Sequence, residues 1–422
     1  MKIDTDLFEK LAGYTHVVVS WVGDDGYPMQ TAAAFVSDPE KQEVRIARTG
    51  VPLPLDRDVN VIASHIRPQP GTGYDERRYI LLWGRLTSQG SESVLRPGRA
   101  WGWDEAVTPF FEYVERSNVR ARRYLGILSR ERGVEIRPSL SRMWTFLIAT
   151  RLPFLTATFV PVLLGIAVAA NDGYFNFWLA LLTVLGGASI HVGLNTANDI
   201  FDAISGADDK NFNPTQFSGG SRVIQRGLVS LKQMSLLSAT AYVVGIAIGI
   251  FLVLERGSTE LLAIGVAGVL LSIFYTAPPL KLVHRGLGEL TTAVGFGPIM
   301  VLGAYVVQAE KLSAEAFVAA IPVAILIALI LYVNEIPDRS GDAAAGKRTL
   351  PVRLSQDAVT RGFLVAALTA FAVVFVAAAA GLMPRPALIS LLALPLVFKV
   401  YEGIKLHYSS PYELMGTMGK NV

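Results

Sequence analysis

Residues 191–209, HVGLNTANDIFDAISGADD, decide the fold class, because a long apolar segment here runs directly into a cluster of carboxylates. A second stretch of the same kind, LYVNEIPDRSGDAAAGKRT, occupies residues 331–349. Within them, NDIFD (198–202) and NEIPD (334–338) share the pattern N-[DE]-I-x-D. This repetition predicts a duplicated four-helix unit, and the shared site of such repeats in membrane proteins tends to lie at their interface.

The polar residues of both stretches recur at helical spacing. Asn198 precedes Asp202 by one turn. Side chains at i, i+3 or i+4, and i+7 share a helical face. That spacing is found in Asn195, Asp199 and Asp202 of the first stretch and in Glu335, Asp338 and Asp342 of the second.

These carboxylates lie where a helix would end, and the helix dipole there favours Lys and Arg over acids. Exposure of the helix ends to water therefore does not account well for so many acidic residues. Bound cations that compensate their negative charge account for them better. Mg²⁺ takes hard oxygen ligands in incomplete cages when it also binds substrate phosphates. Clustered ionisable groups at membrane depth indicate function. The two stretches therefore predict a Mg²⁺ site.

The composition indicates a membrane protein. Of 422 residues, 51% are hydrophobic and 17% are charged, whereas soluble chains are about 25% charged. The net charge of +3 does not indicate a nucleic-acid partner, and the absence of cysteine excludes disulfides, Cys-ligated metals and thiol nucleophiles. The N-terminus lacks the apolar core of a signal peptide, which predicts that it starts in the cytoplasm.

The sequence beyond residue 141 predicts a series of membrane-spanning helices. A helix needs about 20 apolar residues to cross a bilayer. Eight segments qualify or nearly do, and the final stretch, 411–422, resembles the approach to a further helix, which leaves eight or nine spans as the expectation. The eight predicted spans are 146–170, 174–194, 233–254, 261–280, 290–308, 316–334, 362–384 and 386–403.

The loops between these spans differ in charge. Those after spans two, four and six, with the tail and with Lys399 near the end of the last span, hold 14 Lys and Arg residues, and the other loops hold 3. Since basic loops stay in the cytoplasm, the acidic stretches and the N-terminal half are predicted on the cytoplasmic side of the plasma membrane.

The first half contains short β-type runs at 15–23, 27–36, 43–47, 60–66 and 79–88, separated by turn clusters such as 24–26 and 67–78. This pattern predicts a small β-barrel or sandwich. Residues 110–142 look helical and basic, and they would form either a solvated linker or a segment on the anionic cytoplasmic leaflet.

Three loops predicted as cytoplasmic carry groups suited to a diphosphate: SGGSRVIQRG (218–227), YTAPPLKLVHRGLGE (275–289) and GKRT (346–349). Any single one of these basic residues is accounted for by the usual excess of Lys and Arg in cytoplasmic loops. Together, however, they would neutralise a Mg²⁺-bound diphosphate. The candidates are Arg222, Tyr275, Lys281, Lys347 and Arg348.

Residues 142–422 resemble the UbiA superfamily of intramembrane prenyltransferases. The resemblance is carried by NxxNDxxD (195–202), SGGSRVI (218–224), YTAPPLK (275–281), RGLGE (285–289) and NEIPDxxxDxxxGKRT (334–349). Within the superfamily these motifs are most similar to 1,4-dihydroxy-2-naphthoate polyprenyltransferases of menaquinone synthesis. The resemblance implies an all-α domain of eight to nine spans around a central cavity.

The resemblance also implies site residues. Two Mg²⁺ ions would be held by Asn198, Asp202, Asp338 and Asp342, with Asn195, Asp199 and Glu335 as adjacent candidates. Tyr275 and Lys281 match a diphosphate-contacting pair, and Arg151 matches a basic residue of the first helix. In the N-x-x-x-D-x-x-x-D form of the first motif the last acid would fall at Gly206, so Asp208 or Asp199 would have to replace it.

The N-terminal half resembles pyridoxamine-phosphate-oxidase-like split barrels, which often bind flavin or a related cofactor, although no phosphate-binding signature is present. The predicted organisation is therefore a split β-barrel over 1–110, a basic helical linker over 111–141 and a UbiA-type domain over 142–422.

The predicted function is Mg²⁺-dependent transfer of a polyprenyl group from its diphosphate to an aromatic acceptor, with 1,4-dihydroxy-2-naphthoate preferred. Metal and basic residues would promote C–O ionisation in a dry apolar cavity. Three alternatives stay open: another acceptor (4-hydroxybenzoate, a carotenoid or a tetrapyrrole), a secondary transporter, and a membrane-anchored flavin- or haem-binding module. The oligomeric state is not predicted.

Overall fold

The computed structural model describes residues 1–69, 73–90 and 92–422, and the chain divides into two units, Met1–Val114 and Glu115–Val422. The first unit opens with helix α1 (Thr5–Leu11), whose first turn is capped by the Asp4 carboxylate accepting from Leu7 N at 3.2 Å. A seven-stranded antiparallel sheet follows, in the order β2-β1-β5-β6-β7-β4-β3. Its strands are β1 (Val17–Val22), β2 (Pro28–Ala33), β3 (Phe35–Asp38), β4 (Glu43–Ile46), β5 (Asp58–Gln69), β6 (Gly73–Gln89) and β7 (Glu92–Asp104).

The core of this unit lies between α1 and one face of the sheet. Alternate residues of β1, Val17 and Val19, are fully buried, as the two-residue period of a strand requires. Leu7, Phe8 and Leu11 from α1 pack against them. The predicted small β-barrel is confirmed as a curled, split-barrel-like sheet that ends at β2 and β3.

Two details of the strand prediction are wrong. Strand β7 was not predicted, because Pro97, Gly98 and the arginines of ESVLRPGRAWGWD hide its alternation. Its register against β6 shifts between Trp83 and Gly84, where a Cβ on Gly84 would lie 2.4 Å from Arg96 O. The stretch 67–78 was predicted as a turn, but its described parts, 67–69 and 73–78, are strand, and 70–72 lie outside the described residues.

Helices make up the rest of the chain. The linker predicted as helical contains α2, which ends at Arg132, and α3 then begins at the Ser141 cap. The helices are α2 (Phe110–Arg132), α3 (Arg142–Thr150), α4 (Thr156–Asn171), α5 (Phe177–Ser205), α6 (Ala207–Lys210), α7 (Leu231–Arg256), α8 (Thr259–Thr276), α9 (Gly288–Val294), α10 (Met300–Ala309), α11 (Ala314–Ala344), α12 (Leu350–Arg353), α13 (Gln356–Ala379), α14 (Leu394–His407) and α15 (Pro411–Asn421).

In the described part of the chain, eight helical segments are long and apolar enough to cross a membrane, which confirms the predicted number. This is an integral membrane protein. The segments are Leu152–Asn171, Phe177–Ser205, Leu231–Arg256, Thr259–Thr276, Gly288–Ala309, Ala314–Ala344, Gln356–Ala379 and Arg385–His407.

The second and sixth spans continue as helix to Ser205 and Ala344, well past their predicted ends at 194 and 334, because α5 and α11 stay helical through the acidic stretches. The first and fourth differ for a local backbone reason. The first, predicted from 146, is interrupted at Arg151, whose φ of 52° ends α3 before a short 3₁₀ turn at Leu152–Leu155. The fourth, predicted to 280, ends at Thr276 because Pro278 and Pro279 follow and cannot continue a helix.

Helices α4 and α10 approach closely at Gly165. A Cβ at this position would lie 2.2 Å from Val301 O and 2.9 Å from the Ala304 Cβ. Small residues permit such close approach of membrane helices, where packing drives association. The contact places α10 against α4 beside the site described below.

We expect Gly165→Ala to lower the thermal unfolding temperature in detergent, because the new methyl group must push two helices apart. Overpacking of this kind costs about 1–3 kcal/mol. The matched control is Gly249→Ala in α7, where a Cβ would meet no atom within 4 Å. Equal unfolding temperatures for the two variants would contradict the close packing of α4 on α10.

Candidate functional site

Both acidic stretches reach one polar cavity of about 180 Å³. The long helices α5 and α11 carry the residues to this point, since each remains helical through its motif. Most of the predicted ligands therefore lie around one space. The cavity is lined by Asn195, Asn198 and Asp202 from α5 and by Asn334, Glu335, Asp338 and Asp342 from α11.

Asp199 is not among the residues that line the cavity, although the spacing placed it on the same face as Asn195 and Asp202. Its carboxylate accepts hydrogen bonds from the Ser221 N–H at 3.1 and 3.3 Å and from the Ser221 hydroxyl. Asn198 lines the cavity, and its Nδ2 donates to Asp202 Oδ2 at 3.3 Å. Asp199 thus holds the loop that carries Ser221 against α5.

Asp338 binds the same loop from the α11 side. Its Oδ1 accepts from Asn211 Nδ2 at 2.8 Å, and its Oδ2 accepts from the Gly219 N–H at 2.9 Å. Neither Asn211 nor Gly219 was singled out in the sequence, since nothing local relates them to Asp338. The loop is therefore held by one aspartate from each acidic stretch.

Lys347 joins the two stretches. Its Nζ lies 2.7 Å from Asp202 Oδ1 and 3.6 Å from Asp342 Oδ1, and the residue is 7% exposed. Burial by itself would lower the pKa of the Lys347 ammonium, but the charges of Asp202 and Asp342 outweigh it and raise that pKa above its usual value. Lys347 is therefore a buried cation between the ends of α5 and α11.

Asp208 occupies the region of the expected third acid. Gly206 has φ of 71° and ends α5, and Asp208 then turns into the cavity lining while remaining 4% exposed. Its Oδ2 accepts from Gln225 Nε2 at 2.7 Å. Burial, followed by the charges of Asp202 and Asp199, raises the pKa of Asp208 to about 8. Of the two replacements considered for Gly206, Asp208 is the one that lines the cavity.

The predicted basic residues divide between the cavity and other positions. Arg151 lines the cavity, with Nη2 donating to Phe217 O at 3.2 Å, and Tyr275 lines it too. Lys281, Arg222 and Arg348 are not among the lining residues. Their role as diphosphate ligands stays a prediction.

Arg222 forms a buried ion pair instead. Its Nη2 lies 2.9 Å from Glu115 Oε2, and the same nitrogen donates to Asn211 O at 3.1 Å. Burial would raise the pKa of the Glu115 carboxyl, but the hydrogen bond and charge of Arg222, with Arg226, outweigh it and lower that pKa. Glu115 lies 107 residues away in sequence, so local pattern could not reveal the pair.

An apolar cavity of about 700 Å³ adjoins the polar one. Helices α5, α7, α8 and α10 line it, almost entirely with aliphatic side chains and glycines. At the junction, Thr158 Oγ1 and His191 Nδ1 are 2.7 Å apart, and the imidazole meets the Phe296 ring edge-on at 4.9 Å. The residues that line both cavities are His191, Leu194, Tyr275, Thr292 and Phe296.

The donor set of the polar cavity fits a hard divalent cation. Its lining has five carboxylates against two basic side chains, Arg151 and Lys347. The buried Asn334 Oδ1 has no hydrogen-bond partner. Within the described residues, no three acidic or histidine side chains already converge as a complete metal site. Such an incomplete cage suits Mg²⁺ whose coordination is completed by ligand oxygens and water. The five carboxylates are Asp202, Asp208, Glu335, Asp338 and Asp342.

Residues 158–415 match the UbiA prenyltransferase family. The chain belongs to this family. The matched segment holds both acidic stretches and most of the membrane-spanning helices, so the family resemblance of residues 142–422 is confirmed.

Several members of the UbiA family with known names are similar to this chain. The UbiA prenyltransferase domain-containing protein 1 of Dictyostelium discoideum is 30% identical over 221 residues, which is 52% of this chain and 66% of that protein, just under two thirds. The 1,4-dihydroxy-2-naphthoate octaprenyltransferase of Bacillus subtilis is 27% identical over 227 residues, covering 54% and 70%. The 2-carboxy-1,4-naphthoquinone phytyltransferase of Synechocystis is 24% identical over 280 residues, covering 66% and 87%.

Solved structures of UbiA homologues are also similar. A homolog from Aeropyrum pernix is 19% identical, with a TM-score of 0.47 over 67% of this chain and 97% of that chain. A homolog from Archaeoglobus fulgidus, solved bound to GPP and Mg²⁺, is 11% identical, with a TM-score of 0.45 over 65% and 99%.

We expect Lys347→Met to lower the thermal unfolding temperature in metal-free buffer, because it leaves the buried carboxylates of Asp202 and Asp342 without a cation. Breaking a buried ion pair from one side costs about 3–5 kcal/mol. Adding Mg²⁺ should recover part of the loss if the same carboxylates bind the ion.

The control for this experiment is Lys210→Met, which removes an exposed ammonium that donates to Ala344 O at 3.0 Å. It should change the unfolding temperature little, with or without Mg²⁺. If both variants lost the same stability, or if Mg²⁺ did not help Lys347→Met, the bridging role would be contradicted.

Proposed function

We propose that this protein transfers a polyprenyl group from its diphosphate to an aromatic acceptor in a Mg²⁺-dependent reaction. The observation that supports this most is the junction of a carboxylate-rich cavity with a large apolar one, through five shared residues. A prenyl diphosphate has the same two-part chemistry, a polyanion joined to a hydrocarbon chain. The substrate would therefore lie across the junction.

The polar cavity would hold the diphosphate end. Asn198 and Asp202 from α5, with Asp338 and Asp342 from α11, would hold Mg²⁺, and Asn195 lies beside them. When bound, Mg²⁺ supplies positive charge that stabilises the departing diphosphate. Arg151 and Lys347 add two further cations to the same wall.

The apolar cavity would hold the hydrocarbon chain and exclude water from the allylic carbon. Its walls are mainly aliphatic, so a developing allylic cation would meet few competing nucleophiles before the acceptor ring captures it. Tyr275, Phe296 and His191 lie at the junction, where the bond to the diphosphate would break and the bond to the ring would form.

We further propose 1,4-dihydroxy-2-naphthoate as the acceptor, within menaquinone synthesis. Similarity to octaprenyltransferases of this name from Bacillus subtilis, at 27% identity, and Mycobacterium tuberculosis, at 32%, supports this choice. The excess of Lys and Arg in alternate loops supports an orientation with the site and the N-terminal unit toward the cytoplasm of the plasma membrane.

We expect Asp202→Asn and Asp338→Asn each to reduce Mg²⁺-dependent prenyl transfer at least about 100-fold, as loss of a preorganised charge at a reacting group does. The measurement is incubation of membranes with Mg²⁺, a radiolabelled polyprenyl diphosphate and a panel of acceptors that includes 1,4-dihydroxy-2-naphthoate and 4-hydroxybenzoate. Product identity then names the acceptor.

The matched control is Asp357→Asn, which changes an aspartate that is 84% exposed at the start of α13. It should keep full activity at equal expression. Wild-type activity in both Asp202→Asn and Asp338→Asn would overturn the proposal. Transfer to 4-hydroxybenzoate alone would replace the proposed acceptor while leaving the reaction type in place.

We expect Gly249→Leu and Gly265→Leu to shorten the polyprenyl chain that the protein accepts. Both glycines line the apolar cavity, and a Cβ on either would meet no atom within 4 Å, so a larger side chain fills the cavity itself. Transfer from a long-chain donor should fall while transfer from a geranyl donor is retained.

The control for chain length is Leu236→Phe, an enlargement on α7 at a residue that is 69% exposed and does not line the cavity. It should leave the ratio of long-chain to short-chain transfer unchanged. If the glycine variants also left that ratio unchanged, the hydrocarbon chain would not occupy this cavity.

A further inference from the structure

Two buried glutamates meet beside the polar cavity. Glu289, in α9, is 9% exposed, and Glu335, in α11, is 5% exposed. Glu289 directly follows Gly288, where a Cβ would lie 3.5 Å from Glu335 Oε1, so the two side chains are neighbours. Neither oxygen of Glu289 has a hydrogen-bond donor, and nor does Glu335 Oε2. The pair thus has acceptor atoms and no protein donor.

Glu335 lines the polar cavity near its junction with the apolar one. Its Oε1 would lie 3.5 Å from a Cβ on Gly288, so α9 lies close against this carboxyl group. Tyr275 and Thr292 line the same polar cavity as Glu335. Since Tyr275 and Thr292 line both cavities, the pair lies on the side of the polar cavity where an acceptor ring would meet the allylic carbon.

Such a pair is unfavourable by itself. Burying a carboxylate without a donor is costly, and two like charges in contact repel each other. The nearest buried cation on the α11 side, Lys347, lies against Asp202 and Asp342 instead. Groups that remain unsatisfied at a site store strain that a ligand can relieve.

We infer that Glu335, supported by Glu289, accepts a hydrogen bond from a ring hydroxyl of the acceptor and so selects acceptors with a free hydroxyl. This inference rests on the proposed function. A diphosphate cannot satisfy the pair, because it is an anion and offers no donor. A phenolic hydroxyl supplies a donor, and hydrogen bonding to a carboxylate raises electron density in the ring that must capture the allylic cation.

The experiment uses the full-length protein in detergent with Glu335→Gln, Glu289→Gln and the double variant. Glutamine keeps the shape and removes the charge. Loss of a hydrogen bond to a charged group should raise the acceptor KM about 10- to 100-fold. The KM for the polyprenyl diphosphate should stay within about twofold, and the Mg²⁺ concentration at half-maximal rate should change less than the acceptor KM. The wild type should discriminate against the O-methylated acceptor, and Glu335→Gln should lose most of that discrimination.

Thermal unfolding without ligands gives an independent readout. Because the amide of glutamine can donate to the neighbouring carboxyl group, which has no donor in the wild type, the unfolding temperature of each single variant should equal or exceed that of the wild type. A purely structural role predicts a lower temperature. The matched control is Glu402→Gln, an exposed position on α14 away from both cavities, which should change neither kinetics nor stability.

An unchanged acceptor KM in the glutamine variants would overturn the inference. A shift in the Mg²⁺ requirement with the acceptor KM unchanged would also overturn it, since the pair would then bind metal. If the wild type transfers no prenyl group, the proposed function fails, and equilibrium dialysis with radiolabelled hydroxylated acceptor still tests this pair. Equal binding to wild type and Glu335→Gln would overturn the inference in that case too.

Discussion

The buried contact of Lys347 with Asp202 and Asp342 is the interaction on which the arrangement of the site depends. Two helices, α5 and α11, end in carboxylates that their own dipoles disfavour. One ammonium, 2.7 Å from Asp202 and 3.6 Å from Asp342, reduces that repulsion while it is itself shielded from water. The two ends can therefore stay close, and the excess negative charge that remains gives the cavity its preference for cations.

The loop between α6 and α7 is shaped by the same carboxylates. Gly219, Gly220 and Arg222 have φ values of 77°, 72° and 61°, a run of left-handed backbone that turns N–H groups inward. Gly219 then donates to Asp338, and Ser221 donates to Asp199. Two of the three residues are glycine, so the left-handed conformation costs little free energy. The N–H donors of the loop then satisfy the aspartate carboxylates without another cation. Charge at the helix ends thus determines the backbone of the loop that follows the first acidic stretch.

Much of the fold could be predicted because its signals are local. Within the part of the chain that the structure describes, eight apolar stretches give eight helices able to cross a membrane, since bilayer thickness sets the minimum length of such a helix. Alternating residues reveal strands such as β1, whereas β7 stays hidden because Pro97 and its neighbouring glycine interrupt the alternation. The predicted start of the first span was wrong because a single left-handed residue, Arg151, breaks the helix, and hydropathy does not report φ.

The site was predictable in residue type but less so in detail. Helical spacing placed Asn195, Asp199 and Asp202 on one face, but which of them meets the cavity depends on Ser221, a partner from a loop. Glu115, the partner of Arg222, is equally remote. Such pairs form only through tertiary contacts, and local patterns in a single sequence do not reveal them.

The proposed reaction requires the polar cavity and the apolar cavity to adjoin. Ionising a carbon–oxygen bond separates charge, and that separation is favourable only where fixed cations face the leaving oxygen. The same fixed charges act more strongly where water is excluded, since the effective dielectric constant is lower. An apolar cavity lined by α7 and α8 excludes water from one side, and Arg151, Lys347 and the Mg²⁺ that the carboxylates of α5 and α11 would hold supply positive charge on the other. Neither half would suffice alone for the proposed reaction, so the proposal assigns the breaking and forming bonds to the shared wall at His191, Tyr275 and Phe296.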